Sequence, residues 1–319
     1  MWVAMLFPVN FLRLGFGLKN RFALLILPAV RYRFRIISLL AVAALVSACS
    51  AVKIGYNQAP ALAYLSLDGY ANFTETQSLQ VKADLSRLHA WHRQTQLPAY
   101  ADLLQKMQPL MQTNITPAQV CTVALDIRRK LLAVANQTVP ELAVLASTLA
   151  PEQLQQLQRK FALGNADYRK DFMDASPAAV RSKRYEQAVS RAEQLYGRLD
   201  TQQLKRIALL VDQSGLNPAL VYAERLRRQQ DTLKTLRTLA SSPQAARTDM
   251  HALTHALVEQ WFESPNAAHR DYLETTTQQA CLSIAELHNS TTPAQRQKAI
   301  DVLKGYAQDL RALASQNGG

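Results

Sequence analysis

Few residues in this chain could act as nucleophiles or hold a metal, and their spacing decides which chemistry is open to them. The three cysteines, Cys49, Cys121 and Cys281, stand far apart. None has the Cys-x-x-Cys spacing or the neighbouring histidine that would activate a thiolate, which argues against redox or nucleophilic catalysis. His251 and His255 lie four residues apart, a spacing that places two imidazoles on one helix face and suits a metal ion. No Glu adjoins His251, so the metalloprotease pattern lacks its base; the plainer reading is a pair of partly exposed helix histidines beside Met250. His89, Trp91 and His92, in the string His89-Ala90-Trp91-His92-Arg93, form a second candidate binding group, with Trp91 expected to dock into the core. The chain has no Gly-rich phosphate loop and no Gly-x-Ser-x-Gly elbow, and two of its ten glycines fall before residue 49. The one Ser-x-x-Lys match, Ser50 to Lys53, has no companion motif. These absences predict no catalytic residue and no cofactor.

Cys49 owes its interest to what precedes it. Arg31, Arg33 and Arg35 are followed by the apolar run Ile36 to Val46 and then by Leu45-Val46-Ser47-Ala48-Cys49. The run has the length of a signal-peptide core and is too short for a membrane span of about 20 residues. The string resembles the lipobox of bacterial lipoproteins, in which small residues admit the peptidase and the Cys thiol accepts a diacylglyceryl group. On this reading residues 1–48 are a cleaved leader and Cys49 is the mature N-terminus, carrying diacylglycerol and an N-acyl chain. With each buried methylene contributing about 0.8 kcal/mol, such an anchor is effectively permanent. An Asp after the Cys would imply retention at the inner membrane; Ser50 stands there, which favours the periplasmic face of the outer membrane. The stretch before Arg31 makes the leader long, and a true translation start near Val30 would leave one of ordinary size.

The same cut changes the charge. Removing Arg13, Lys19, Arg21, Arg31, Arg33 and Arg35 takes the formal +12 down to +6, and nucleic acid is not an expected partner of an exported protein. In an oxidising compartment Cys121 and Cys281 are expected to be bridged, closing a long loop worth about 5 kcal/mol at the upper end of the chain-entropy estimate. Two separate buried thiols are the other reading.

The elements that must position these residues read as helices throughout. Tyr185, Ala188, Val189, Ala192, Leu195, Tyr196 and Leu199 recur at three and four, as do Met250, Leu253, Leu257 and Trp261, while period-two alternation and Asn-Gly or Asp-Gly hairpin turns are missing. Helix starts are marked by a capping residue with Gln three positions later: Thr74 with Gln77, Thr116 with Gln119, Asp200 with Gln203 and Thr292 with Gln295, and a partial fifth at Ala150 with Gln153. Their spacing is uneven, which points to shared capping grammar rather than a solenoid. Pro140 should break its helix near Thr138. The expectation is an all-α bundle of about eight helices over residues 74–319. Before it, residues 49–73 form an aromatic juxtamembrane segment that includes Tyr64, Tyr70 and Phe73, expected to pack on the body in preference to resting at the membrane interface. Arg225, Arg227, Arg228, Lys234 and Arg237 crowd one helix, either as a solvated face or as an attraction for anionic lipid head groups.

Several strings carry a family resemblance across the mature chain: Gly55-Tyr56-Asn57, Leu67-Asp68-Gly69-Tyr70, His89-Ala90-Trp91-His92-Arg93, Asn165-Ala166-Asp167-Tyr168-Arg169, Ala192 to Leu199 and Leu287 to Arg296. They resemble a proteobacterial lipoprotein family catalogued as domain of unknown function 6279, whose members carry Cys where Cys121 and Cys281 stand. The resemblance implies a lipoprotein with a helical fold, but no activity. Phe73-Thr74-Glu75-Thr76-Gln77 also resembles the Leu-Thr-x-x-Gln motif of small periplasmic stress chaperones, a likeness that a capping box alone produces. The expected function is a non-enzymatic envelope module held to the membrane by its lipid and binding an envelope protein or polymer. The alternatives are a chaperone-like holder of unfolded clients and a metal-dependent enzyme using His251 and His255.

Overall fold

The structure, a computed structural model, describes residues 52–242 and 246–316. The leader, Cys49 and the start site near Val30 lie outside the described residues. The chain divides into two units, Met1–Gly55 and Tyr56–Gly319, and the second contains the twelve helices described here.

These are α1 (Ala59–Ala71), α2 (Glu75–Trp91), α3 (Leu97–Met107), α4 (Pro117–Gln137), α5 (Val139–Ser147), α6 (Pro151–Tyr168), α7 (Pro177–Tyr196), α8 (Thr201–Asp212), α9 (Pro218–Ser241), α10 (Arg247–Phe262), α11 (Ala267–Asn289) and α12 (Pro293–Ser315). The described residues contain no strand, and none of their helices is long and apolar enough to cross a membrane. The expectation of about eight helices is corrected to twelve. Counting capping boxes misses helices that start without one. Val139 opens α5 with a Pro in its first turn and no side-chain cap, and Leu97 opens α3 in the same way. Between α2 and α3 the chain runs through a π turn, His92–Gln96, and a second π turn, Arg169–Met173, follows α6.

All four expected boxes form. In the first, Thr74 Oγ1 accepts the Gln77 N–H (3.3 Å) and Gln77 Oε1 accepts the Thr74 N–H (3.0 Å); Thr116, Asp200 and Thr292 repeat the pattern. Ala150 has no side-chain oxygen, so only the Gln153 half forms there, with the Ala150 N–H donating to Gln153 Oε1 at 2.9 Å.

The glutamines then do something no local rule requires. Gln77 and Gln153 exchange amide hydrogen bonds (3.2 and 2.8 Å). Gln77 also donates to the Thr148 carbonyl, and Gln153 to the Ala71 and Asn72 carbonyls. Gln203 and Gln295 form a second such pair (2.8 and 2.9 Å), reaching the Ser290 and Arg198 carbonyls respectively. In each pair one helix start is locked face to face with another, and the amide satisfies carbonyls of the partner's entry loop that would otherwise be lost to water.

Around these joints the apolar core is modest. Ala192, Tyr196 and Leu199 meet Ile207, Val211 and Leu303 in one cluster; Ala143, Ala146, Leu154, Leu236, Leu239 and Met250 form another. The stripe on α10 is only half as expected. Met250 and Leu257 are buried, but Leu253 and Trp261 are exposed, and Thr254 takes the inward position with its hydroxyl donating to the Met250 carbonyl (2.8 Å). Positions 250, 254 and 257 follow the four-three spacing of one face, which turns 253 to the margin; Trp261 is in line with that face but falls in the last turn of α10, where its ring lies by Thr232 and Arg228 of α9. Cys121 and Cys281 are bridged, joining α4 to α11 with Cα atoms 5.5 Å apart. The two helices run antiparallel, since Asn289 at the end of α11 bonds both the N–H and the carbonyl of Ile115 just before α4.

Candidate functional site

The histidines of the His-Ala-Trp-His-Arg string are used to hold the chain that arrives from the N-terminal side. His89 and His92 lie on consecutive turns where α2 passes into its π turn, so both rings reach the same neighbour, Tyr56. His89 Nε2 donates to the Tyr56 carbonyl (3.0 Å), and the Tyr56 hydroxyl and His92 Nδ1 share a hydrogen bond (3.0 Å). The Tyr56 ring lies 4.5 Å from that of His89 and 5.8 Å from that of His92, and Tyr100 closes on His92 edge-on at 5.4 Å. Arg93, buried, sends one nitrogen to Asn57 Oδ1 (2.6 Å) and another to the Leu313 carbonyl (3.2 Å). It thereby ties the entering chain to the last turn of α12, where a cation also suits the helix dipole. Trp91 is half-buried between the two histidines, but the rings that meet Tyr56 are the two imidazoles.

The electrostatics fit a clasp of neutral rings. Burial, helped by His89, pushes His92 down to about 4, and burial with the Arg93 charge lowers His89. Burial raises the Tyr56 hydroxyl to about 12. At neutral pH each ring is therefore uncharged, with a hydrogen bond to make and a partner in place. His92 Nδ1 and His89 Nε2 are both committed internally, so the arrangement holds chain to chain rather than activating a nucleophile.

A second polar centre, which sequence reasoning missed, lies at Glu224 on α9. Its carboxylate is buried and accepts from Arg227 (2.7 and 2.8 Å), Arg228 (2.9 Å) and the Ser264 hydroxyl (3.0 Å). Burial alone would raise this acid, but the bonds from Arg227, Arg228 and Ser264 outweigh it and hold it at about 2. His269, also buried, stands 4.0 Å away with Nδ1 unpaired. Four of the five crowded cations are thereby accounted for. Arg227 and Arg228 bind Glu224, Arg225 donates to Asn165 (2.7 Å), and Arg237 donates to Gln158 (3.2 Å). Arg225, Arg227 and Arg228 are thus half-buried against polar partners, while Lys234 and Arg237 stay exposed. Gly164 makes one of these contacts possible, because a Cβ there would lie 2.7 Å from the Arg225 guanidinium. That accounts for a helical glycine costing about 1 kcal/mol relative to Ala.

His251 and His255 face each other on α10 with ring centres 6.1 Å apart, and His255 Nδ1 lies 3.6 Å from Glu259. Among the described residues no three His, Cys, Asp or Glu side chains gather in a way that could hold a metal ion. Cys49 lies outside the described residues, and Tyr56, seven positions on, is where the compact unit begins.

The Gln pairs and the Glu224 centre join residues far apart in sequence, and periodicity carries no signal for such pairing. The one available hint was repetition, with Gln at the third position of five helix starts. The model described as Family of unknown function (DUF6279) matches residues 69–263. No curated protein and no solved structure matches the chain.

Proposed function

From membership of that family of unknown function, to which the chain belongs because the match takes in more than half of its 319 residues, we propose an outer-membrane lipoprotein acting as a non-enzymatic binding module of the envelope. Cys49 carries the lipid, and the helical body works on the periplasmic side, binding an envelope protein or polymer. The observation that carries this reading is Leu45-Val46-Ser47-Ala48-Cys49, placed directly after a basic stretch and an apolar run. The Cys121–Cys281 bridge supports an oxidising compartment. The polar centres support binding over catalysis, because their hydrogen-bonding groups are largely engaged in joining elements of the fold. The test is Cys49→Ser in cells fed radiolabelled palmitate. The wild type takes up label and fractionates with outer membranes; the variant does neither and keeps its leader. Equal processing and membrane association of both proteins refutes the anchor.

A further inference from the structure

Helix α1 is the most apolar exposed element of the described chain. Its thirteen residues include no buried one and a single charged side chain, Asp68. That carboxylate is turned to the helix end, where it accepts the Phe73 N–H at 2.8 Å. One side of α1 is committed to the body: the Tyr64 hydroxyl donates to Ser78 of α2 (3.0 Å) with Lys82 over its ring, and the Tyr70 ring lies 6.4 Å from that of Phe161 on α6. The opposite side is left over. Leu62 and Leu65, one turn apart, form its crest, and Leu65 is 64 % exposed. Gly69 continues the line with open space where a Cβ would stand. The three most exposed leucines of the described residues are Leu65, Leu79 on α2 and Leu163 on α6, all on α1 and the two helices it packs against.

Leucines grouped on one exposed helix face mark an interaction site more often than leucines scattered singly. The covalent chain says what is near enough. Ten peptide steps separate Cys49 from Ala59, at most about 35 Å when extended, and residues 52–57 are helical, which shortens the reach. We propose that the outer face of α1, with Leu62 and Leu65 at its crest, lies in the interfacial layer of the bilayer that holds the anchor, as a second, non-covalent contact. This rests on lipidation at Cys49 as proposed above. An apolar helix in the headgroup layer adds binding in proportion to the area it buries, and it would orient the body where a lipid alone leaves it free to swivel.

The test uses the mature, lipidated full chain in vesicles of phosphatidylethanolamine and phosphatidylglycerol, with an NBD fluorophore on Leu65→Cys and, as control, on Gln194→Cys of α7. Flotation is measured on the same samples. The expected result is flotation of both proteins, with a blue shift and roughly twofold or greater quenching by lipids brominated near the headgroup at residue 65 only. Flotation with equal, small quenching at both sites overturns this proposal and leaves the anchor standing. A blue shift at residue 65 without bromolipid quenching marks a protein occupant, such as a second copy, and also overturns it. Failure to float overturns the anchor and this contact together.

Discussion

Removing the Glu224 carboxylate should unfold the protein at a temperature lower by several degrees. The side chain is 4 % exposed and its two arginines are 21 % and 17 % exposed, so none of the three can recover full hydration after a partner is lost. Breaking a buried ion pair from one side costs about 3–5 kcal/mol because the remaining charge stays buried. Arg227 keeps Asp231 as a partner, which places Glu224→Ala near the lower end, about 3 kcal/mol. At 2–4 °C per kcal/mol for a domain of this size, the midpoint falls by roughly 6–12 °C. Thermal unfolding followed by circular dichroism reads this directly, with Asp212→Ala, which breaks an exposed pair with Arg181, as a control expected to stay within about 1 °C. The pH dependence adds a second readout. Because the folded acid sits at about 2 against an ordinary 4.5, its contribution is complete above 4.5 and is lost as the pH falls from 4.5 towards 2. The gap between wild type and variant should therefore close in that window. A drop of less than about 2 °C at neutral pH, or a gap that persists at pH 2, refutes the assignment of Glu224 as the joint between α9, the turn at Ser264 and α11.

Two further outcomes are expected. Burial holds His92 at about 4 in the fold against 6.5 when unfolded, so the clasp's contribution is full above 6.5 and declines as the pH falls to 4. Discounted for partial exposure it is about 2 kcal/mol, and His92→Gln should flatten the wild-type stability slope between those values; an unchanged slope removes His92 from the account. In the amide pair, Gln203→Met and Gln295→Met should each cost about 2 kcal/mol by orphaning buried donors and carbonyls, while a double-mutant cycle shows coupling of about 1 kcal/mol. Additivity within 0.3 kcal/mol would mean the two amides act separately.

What could be read from the sequence was whatever a few adjacent residues decide. Thr74, Thr116, Asp200 and Thr292 cap helices where their spacing to Gln says they must, and the chain breaks at Thr138 because Pro140 cannot donate to the preceding turn. Cys121 and Cys281 do meet, although nothing in their neighbourhood names the partner. The misses share a cause. Arg225 and Arg237 look free because their acceptors, Asn165 and Gln158, stand on α6; the spacing of Glu224 to Arg227 and Arg228 is legible on one helix, but its burial against Ser264 is not. Leu253 looks like core because periodicity cannot tell the centre of a stripe from its edge, and Trp261 because periodicity cannot tell where along its length a helix leaves the core. His89 and His92 stand out in the sequence as a pair, but what they meet is Tyr56 of the same chain, and no spacing rule connects 56 with 92.

The buried residues explain why polar joints carry so much of this fold. Many of the most deeply buried core positions are alanines: Ala101, Ala143, Ala146, Ala299 and Ala307 are all at 3 % exposure or less. Small side chains let helices approach closely, but they specify register poorly, because one alanine surface slides over another at little cost. A paired amide, or a buried carboxylate that accepts a hydroxyl from another element, works in only one register, since a shift of one residue leaves a buried donor without an acceptor. The Gln77–Gln153 and Gln203–Gln295 pairs fix helix starts, Glu224 fixes α9 against the turn at Ser264, and Arg93 fixes the entering chain at Asn57 against the end of α12 at Leu313. The last of these joints spans the fold, tying Asn57 near the start of the compact unit to the last turn of α12 at Leu313.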